Sequence, residues 1–586
     1  MATPQQRTAV TASVAAPIGG WNARDSLAEM DPLDAVQMIN FYPTPSDVTL
    51  RKGYSIYSSG ITGKVNSLMN YAGQNSQQLF AAAGSVIYLA DGATAVSKVT
   101  GLTSDKFQYV NITTPGGNFL VACNGVDPVL IYNGTTWVKA ASTSTAQTIS
   151  SITHVAAVAT LTTASAHGLV TGNQVTITGA SPSAYNGTFV ITVTGTTTFT
   201  YTMASTPASN ATTVGTYTVN SAITGVDSST FANVNLFKNR LYFVQKDTLK
   251  TWYLPVESIA GAASKLDFGS VARNGGYLQA MGTWTIDAGQ GVDDYAVWAT
   301  NMGEVIVYNG TDPSDPTAWA LKGVWQFGFV FSRRCFYKFG GDLLMLSQDG
   351  LVPLASALQS SRLDPRVNLT DKIFYAVSQA ADNYSNNFGW QSIYFAKPNM
   401  LILNIPTDEG CQQYVMNTIT KSWGQFTGID AKVFELHEDN LYFGGDGFVG
   451  KYWDTNADNN TNINGSVQQA YSYFDSRGQL KRFTMVRPIL LTANGTPSVL
   501  CGINTDFDTQ NSLGSVTFNP IGALGTWGTA TWDSSTWGGG ALVVNKVWQG
   551  VTGIGYSAGV SLNVASQQIE VHWASTDYVM ERGGVL

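Results

Sequence analysis

At 586 residues the chain is longer than one hydrophobic core of ordinary size serves, which points to three or four domains. Only 12% of residues are charged, 44% are apolar and 59 are glycine, a composition that excludes a disordered chain or a helical coiled coil and suits turn-rich β structure. The net charge of −8 excludes a protein that grips duplex DNA through its phosphates, since that needs a basic surface, but it allows DNA to pass without being held.

The first residues, Met1 to Val14, are polar and Thr/Ala-rich with no basic start before an apolar core, so no secretory signal is expected. No apolar run approaches the ~20 residues that span a membrane, and the chain is expected to fold in a cytosol. Asp31-Pro32-Leu33-Asp34 carries the signs of a helix start, an acidic N-cap followed by proline at the first helical position, and predicts a short helix to about Asn40. Beyond it, short strands joined by Gly- or Asn-containing turns recur, as at Leu79 to Asp91, Phe119 to Trp137, Asn239 to Val244, Tyr295 to Tyr308 and Asp439 to Trp453. Each alternates β-branched or aromatic residues with small or polar ones, the period-2 pattern of a half-buried strand. The Tyr-Asn-Gly-Thr stretches at Tyr132 and Tyr308 place Asn-Gly where a hairpin turn needs positive φ. Such hairpins, repeated with little helix between them, predict an all-β fold with a β-propeller-like main domain, against a competing multi-sheet sandwich.

Between about Thr145 and Val219 the composition turns to Thr, Ala, Ser and Val, and no charged residue occurs from Val155 to Gly215. Residues 146–217 are therefore expected to be a small β module inserted into a loop of the larger domain, at the periphery, where insertions are tolerated. A helix is predicted from Thr370-Asp371, with Ile373, Ala376 and Val377 on one face. From about Lys481 the style changes again, with Trp527, Trp532, Trp537, Trp548 and Trp573 set among glycines. The expected division is 1–145, an N-terminal segment and the first part of the propeller; 146–217, the insert; 218–480, the rest of the propeller; and 481–586, a separate C-terminal β domain. Cys123, Cys335, Cys411 and Cys501 lie far apart and form no C-x-x-C pair, so they read as reduced core residues.

Motifs for chemistry are sparse. Gly555-Tyr556-Ser557-Ala558-Gly559 matches the G-x-S-x-G nucleophile elbow, but the alternating run Val560 to Trp573 replaces the helix an elbow needs, and His572 precedes Asp577, the reverse of that fold's order. Ser557 is read as a hairpin serine. Asp454 to Asn459 starts like a calcium loop but lacks its glycine and its closing glutamate. Glu435 and His437 share a strand face without a third ligand, and are read as a solvated strand end. Arg333-Arg334 and Lys481-Arg482, two tight basic pairs, are read as surface contacts. No catalytic, cofactor or metal site is expected, and the chain is expected not to be an enzyme.

Several stretches resemble the tail nozzle family of short-tailed bacteriophages, also called tail tubular protein B. They are Gly19 to Asp25 with Met30-Asp31-Pro32, Ala35, Asn40 to Pro43 and Arg51 to Tyr54; Gly341 to Leu354; Gly389 to Gln391 through Asn404 to Pro406, Tyr414 to Thr418 and Trp423 to Phe443; and the closing Gly583-Gly584. The insert is similar to a small β module found in many phage tail proteins, through Ala166 to Leu169, Gly172, Val175 and Tyr185 to Phe189. The resemblance implies a virion protein of the tail, assembled in the bacterial host cytoplasm. It also implies a ring, typically a homohexamer, that meets an adaptor or head–tail connector, docks tail fibres or spikes, and retains and then conducts double-stranded DNA without reading its sequence. The alternatives are a phage adsorption protein that binds host surface glycans and an enzyme acting on surface polysaccharide. A ring needs two complementary patches on each chain, and Trp and Tyr are the residues interfaces prefer. Trp21, Phe41, Tyr42 and Tyr54 in the N-terminal segment, with Trp527, Trp532 and Trp537 near the other end, are the candidate interface.

Overall fold

The computed structural model describes residues 9–585 apart from 75, 116, 141–145, 168, 170–173, 221, 288–291, 358–366, 494, 509–512 and 519–541. Strands dominate throughout, and the longest described helix is Phe374–Tyr384. The chain forms two compact units, one of Met1–Tyr57, Asp349–Val352 and Asp364–Leu586, the other of Ser58–Gln348 and Pro353–Leu363.

The second unit is built from consecutive four-stranded antiparallel meanders, the blade unit of a β-propeller. The first takes Tyr54–Ala72, which enters this unit at Ser58, with Gln77–Ala83, Val86–Leu89 and Val96–Val99. The second takes Gln108–Thr114, Gly117–Cys123, Leu130–Tyr132 and Trp137–Lys139, and the third Phe231–Phe237, Arg240–Gln245, Lys250–Tyr253 and Ser264–Asp267. The fourth takes Leu278–Asp287, Val292–Thr300, Glu304–Gly310 and Trp319–Gln326.

Period-2 alternation stacks these sheets face to face. In the second meander Leu120, Ala122, Leu130 and Tyr132 pack with Met69 and Phe80 of the first. The alternate residues Val121, Cys123 and Ile131 pack with Phe231, Leu241 and Phe243 of the third. From the third, Tyr242 and Val244 turn the other way onto Met281, Trp298 and Ile306 of the fourth. Strands buried on both faces in this way make the fold all-β and propeller-like. Of the two Asn-Gly pairs, Gly134 turns at φ +91° while the Asn133 side chain accepts from the Thr135 and Thr136 amides. Asn309-Gly310 instead ends the strand Glu304–Gly310, and the turn follows it.

Residues 147–220 form a seven-stranded sheet around a core of their own, drawn from Ile149, Leu161, Val175, Ile177, Tyr185, Phe199 and Tyr217 among others. Its first and last strands pair, Gln147 opposite Tyr217, so the segment leaves the chain and returns at neighbouring points.

The first unit is a β-sandwich. One sheet holds Ala9–Ala15, Phe41–Pro43, Val48–Leu50, Gln479–Ala493, Val543–Asn545, Gln549–Gly555 and Glu570–Val585. The other includes Asp34–Ile39, Ile463–Gln469, Ser498–Thr505 and Ala558–Ser566, and continues into the meander Gln391–Phe395, Met400–Pro406, Cys411–Asn417 and Trp423–Phe426. Phe41, Phe483, Leu490, Trp573 and Tyr578 meet Met38, Val467, Ile503 and Leu562 in one core.

Three expectations need correction. Residues 481–586 are not a separate domain, because Glu570–Val585 pairs with Ala9–Ala15 and Val48–Leu50 and shares their core. The stretch 364–480 belongs to this sandwich unit, whereas 218–480 was expected to complete the propeller. The expected helix after Asp31 is a turn, Asp34 N–H to Asp31 O, followed by the strand Asp34–Ile39. The N-cap chemistry is present, Asp31 Oδ1 accepting from the Leu33 amide, but pairing with Ile463–Gln469 buries Ala35 and Met38 as a strand and outweighs the local preference. The helix near Thr370 forms as a 3-10 turn, Asp371–Ile373, running into Phe374–Tyr384, with Ile373 and Val377 buried.

Candidate functional site

The N-terminal segment that carries four of the candidate interface residues is stitched into the sandwich unit by close approach and by buried polar groups. Gly20 turns at φ +79°, and a Cβ there would lie 2.5 Å from the Trp423 carbonyl oxygen, so no other residue fits. Gly53 is limited by space alone, since a Cβ there would overlap the Ala457 carbonyl. Next to Gly20, Trp21 meets Tyr414 edge to face at 5.0 Å. Asn22 donates to Asp34 at 2.8 Å and to Asp25 at 2.9 Å, and the Lys372 ammonium reaches Asp34 at 2.7 Å. The Arg24 guanidinium bonded to Asp25 holds that carboxyl below its ordinary value, and Arg24 also pairs with Asp371.

Farther along, Arg51 has no exposed side-chain surface and fills its donor set. It gives two hydrogen bonds to Asp458, at 2.7 and 2.6 Å, one to Asn40 Oδ1 at 2.9 Å, one to the Thr427 carbonyl at 2.9 Å and one to the Lys52 carbonyl at 3.1 Å. This planar fork onto a carboxylate is a contact that arginine makes and lysine does not.

The candidate interface residues fall into three groups. Phe41 is 0% exposed and Tyr42 4%, with the Tyr42 hydroxyl donating to the Pro398 and Asn399 carbonyls at 2.9 and 3.1 Å. The chain's own core covers both, which leaves no side-chain surface for a neighbour, and the aromatic composition that singled them out reflects core packing. Trp21 and Tyr54 keep partial exposure, Tyr54 lying parallel to Phe448 at 6.0 Å and edge-on to Phe443 at 5.0 Å. Trp527, Trp532 and Trp537 lie outside the described residues.

The residues weighed for chemistry are held by neighbours. Ser557 is fully buried in the turn before Ala558–Ser566, and its amide and hydroxyl meet Asp506 Oδ1 at 2.9 and 3.3 Å. His572 instead sits between two carboxylates, Nδ1 at 2.8 Å from Asp47 and Nε2 at 3.0 Å from Glu570. The Asp47 hydrogen bond raises the His572 pKa above its ordinary value against the opposing effect of burial, and the Glu570 bond adds to it. The opposite ring nitrogens point at different carboxylates, so the trio offers no common point for an ion. Among the described residues no group of three or more His, Cys, Asp or Glu is arranged to hold a metal.

In the calcium-like stretch Asp458 pairs with Arg51, and Asp454 pairs with Lys451 and Ser55. His437 is buried against Tyr442, which corrects the reading of a solvated strand end. Of the basic pairs, Arg482 keeps an exposed side chain near Glu581, as expected of a surface residue, while the other three turn inward. Lys481 is 0% exposed, its ammonium meeting the carbonyls of Ser476, Gln479 and Tyr556. Arg333 donates to the Asn124 carbonyl at 3.2 Å and Arg334 to the Asn66 carbonyl at 3.1 Å. Lys481, Arg333 and Arg334 thus satisfy backbone oxygens, where surface contacts were expected. The four cysteines are buried and unpaired by disulfides, and burial pushes Cys123 and Cys501 up to about 12 and Cys411 up to about 11. Among the described residues no helix is long and apolar enough to cross a membrane.

Sequence reasoning missed the Arg51–Asp458 latch and the Asp47–His572–Glu570 trio. Their members lie 407 and 525 positions apart for Arg51–Asp458 and Asp47–His572, and no local pattern links such residues.

Comparison with protein-family models and with curated proteins finds no match. Among solved structures, YCF48 bound to D1 peptide aligns at 10% identity over 69% of this chain and 97% of that chain, with a TM-score of 0.25. The β-propeller domain of Cps50 (Swd1) from Myceliophteria thermophila aligns at 9% identity over 69% of this chain and 100% of that chain, with a TM-score of 0.26. The propeller-like assignment rests on the strand order and facing cores described above.

Proposed function

We propose that this chain is a structural protein of a bacteriophage tail, of the nozzle type, and not an enzyme. The observation that carries the reading is a meeting of the separate stretches in which the sequence resembles that family. Trp21 lies on Tyr414, Gly20 against Trp423, Asn417 donates to the Pro43 carbonyl at 3.0 Å, and Asn40 donates to Thr427 at 3.2 Å. Residues from 19–54 and 414–427, scattered in the chain, thus serve one packed region, as expected if the resemblance reflects a shared fold and not chance local similarity.

In this reading several copies form a rigid β ring below the portal, joined to an adaptor ring and bearing fibres on the outside. The ring acts passively. Its channel extends that of the portal, retains the genome behind a constriction and releases it on attachment. A net charge of −8 suits a wall past which DNA must slide, because like charges keep the phosphates from adhering. Immunoelectron microscopy of phage particles with an antibody to this chain tests the proposal. Label at the tail base, beneath the head vertex, is the expected result; label confined to fibre tips, or none on the particle, overturns it.

A further inference from the structure

In the sheet that holds Glu570–Val585, two strands, Ala9–Ala15 and Gln549–Gly555, each have one side without a strand partner among the described residues. Ala9–Ala15 pairs with Glu570–Val585 from Ala9↔Glu581 to Ala15↔Ser575, and among the described residues no strand pairs with its other side. Across the sheet, Gln549–Gly555 pairs with Gln479–Ala493 from Lys481↔Gly555 to Val486↔Gln549, again with no strand beyond it among the described residues. An open edge presents a row of N–H and C=O groups ready to pair with another chain, and folded proteins usually blunt it with lysine, proline or an inward charge. Each of these strands is seven residues long, and neither contains a charged residue or a proline. Each also leaves an apolar side chain only half-covered on the core side, Val14 in one and Val551 in the other.

Strand direction determines how the two edges fit. Ala9–Ala15, Glu570–Val585, Gln479–Ala493 and Gln549–Gly555 follow one another across the sheet, each antiparallel to the next. A second copy placed beside the first in the same orientation therefore brings its Ala9–Ala15 antiparallel to Gln549–Gly555 of the first, with the core sides of both strands on the same face. We infer that copies of this chain join head to tail by pairing these two edges, which continues one sheet from subunit to subunit and covers Val14 and Val551. The contact is heterologous, so it closes into a ring when the rotation between copies divides a full turn evenly, and closure pairs these two strands in every copy. The inference rests on the self-assembly in the reading above and names the surfaces that perform it.

Thr11, Ser13 and Thr552 are exposed on these strands, and the four native cysteines are buried, so added thiols at the edges can be addressed selectively. The full chain carrying Ser13→Cys with Thr552→Cys, and a second version with Thr11→Cys in place of Ser13→Cys to allow for register, is treated with a short bismaleimide over rising protein concentration. A covalent ladder running past the dimer is expected, whereas each single-cysteine chain stops at the dimer. Sedimentation of the same samples separates two failures. Assembly without a ladder overturns the edge pairing and leaves the ring reading standing, while a chain that stays monomeric by both measures overturns the pairing and self-assembly together.

Discussion

Arg51 and Asp458, 407 positions apart in the chain, form a bidentate ion pair in which the guanidinium is wholly buried and three further acceptors, Asn40 Oδ1 and the Lys52 and Thr427 carbonyls, complete its partners. The pair ties the Arg-Lys-Gly-Tyr turn of the N-terminal segment to the loop after Asp454. Removing one member leaves a charge and several polar groups without partners, and breaking a buried pair typically costs about 3–5 kcal/mol. Arg51→Ala is expected to lower the stability of the sandwich unit by that order in urea unfolding followed by tryptophan fluorescence. Arg51→Lys should recover little, since the fork geometry is lost. A loss below about 1 kcal/mol for Arg51→Ala would show that the latch contributes no more than a surface pair.

The segment 147–220 has its own core and ends that lie side by side at Gln147 and Tyr217. Replacing it with a short Gly-Ser linker is expected to leave the far-ultraviolet circular dichroism of the remaining chain β-type and its melting temperature nearly unchanged. The excised segment should fold alone with cooperative melting. Aggregation of the shortened chain would mean that the segment supports the propeller-like unit.

His572 gives the sandwich a pH dependence of known sign. Its folded pKa is raised by the bond to Asp47 and supported by Glu570, so the stabilisation is fully present below the unfolded value of about 6.5 and is lost as pH rises through the folded value. For Asp47, burial raises the pKa but the bonds from His572 and Thr44 outweigh it and hold it below the ordinary value, so that contribution is lost only as pH falls through the acid range. Unfolding free energy measured from pH 5 to 9 is expected to decline across neutrality in the native chain and to lose that decline in His572→Gln. The same slope in both chains would assign the pH dependence elsewhere.

Burial that raises Cys123 and Cys501 to about 12 leaves almost no thiolate at neutral pH. A thiol reagent such as dithionitrobenzoate is expected to find no reactive cysteine in the folded chain and four after denaturation. Rapid modification of the folded chain would contradict the packing of at least one of these cores.

The strand pattern was legible because alternation is local. Leu79 to Asp91 and Phe119 to Trp137 read as hairpins and form them, and the loss of charge near Val155 marked a segment that has its own core. Pairing over long sequence distance was not legible. Nothing near Asp34 announces that Ile463–Gln469 will draw it into a strand, and nothing near Trp573 announces that its core partners include Phe41 and Val48. The same limit applies to the candidate interface. Aromatics among glycines mark burial of some kind, and only the fold distinguishes Phe41 and Tyr42, covered within the chain, from Trp21 and Tyr54, which keep exposed surface.

Whether this chain forms a ring in a tail nozzle is decided by an electron cryomicroscopy map of the tail of a virion that carries it. Repeated copies around an axial channel below the adaptor ring, with DNA or empty space at the centre, are the expected result. A map that places the chain as isolated copies at the tips of fibres, or finds no density for it in the tail axis, would contradict the nozzle assignment.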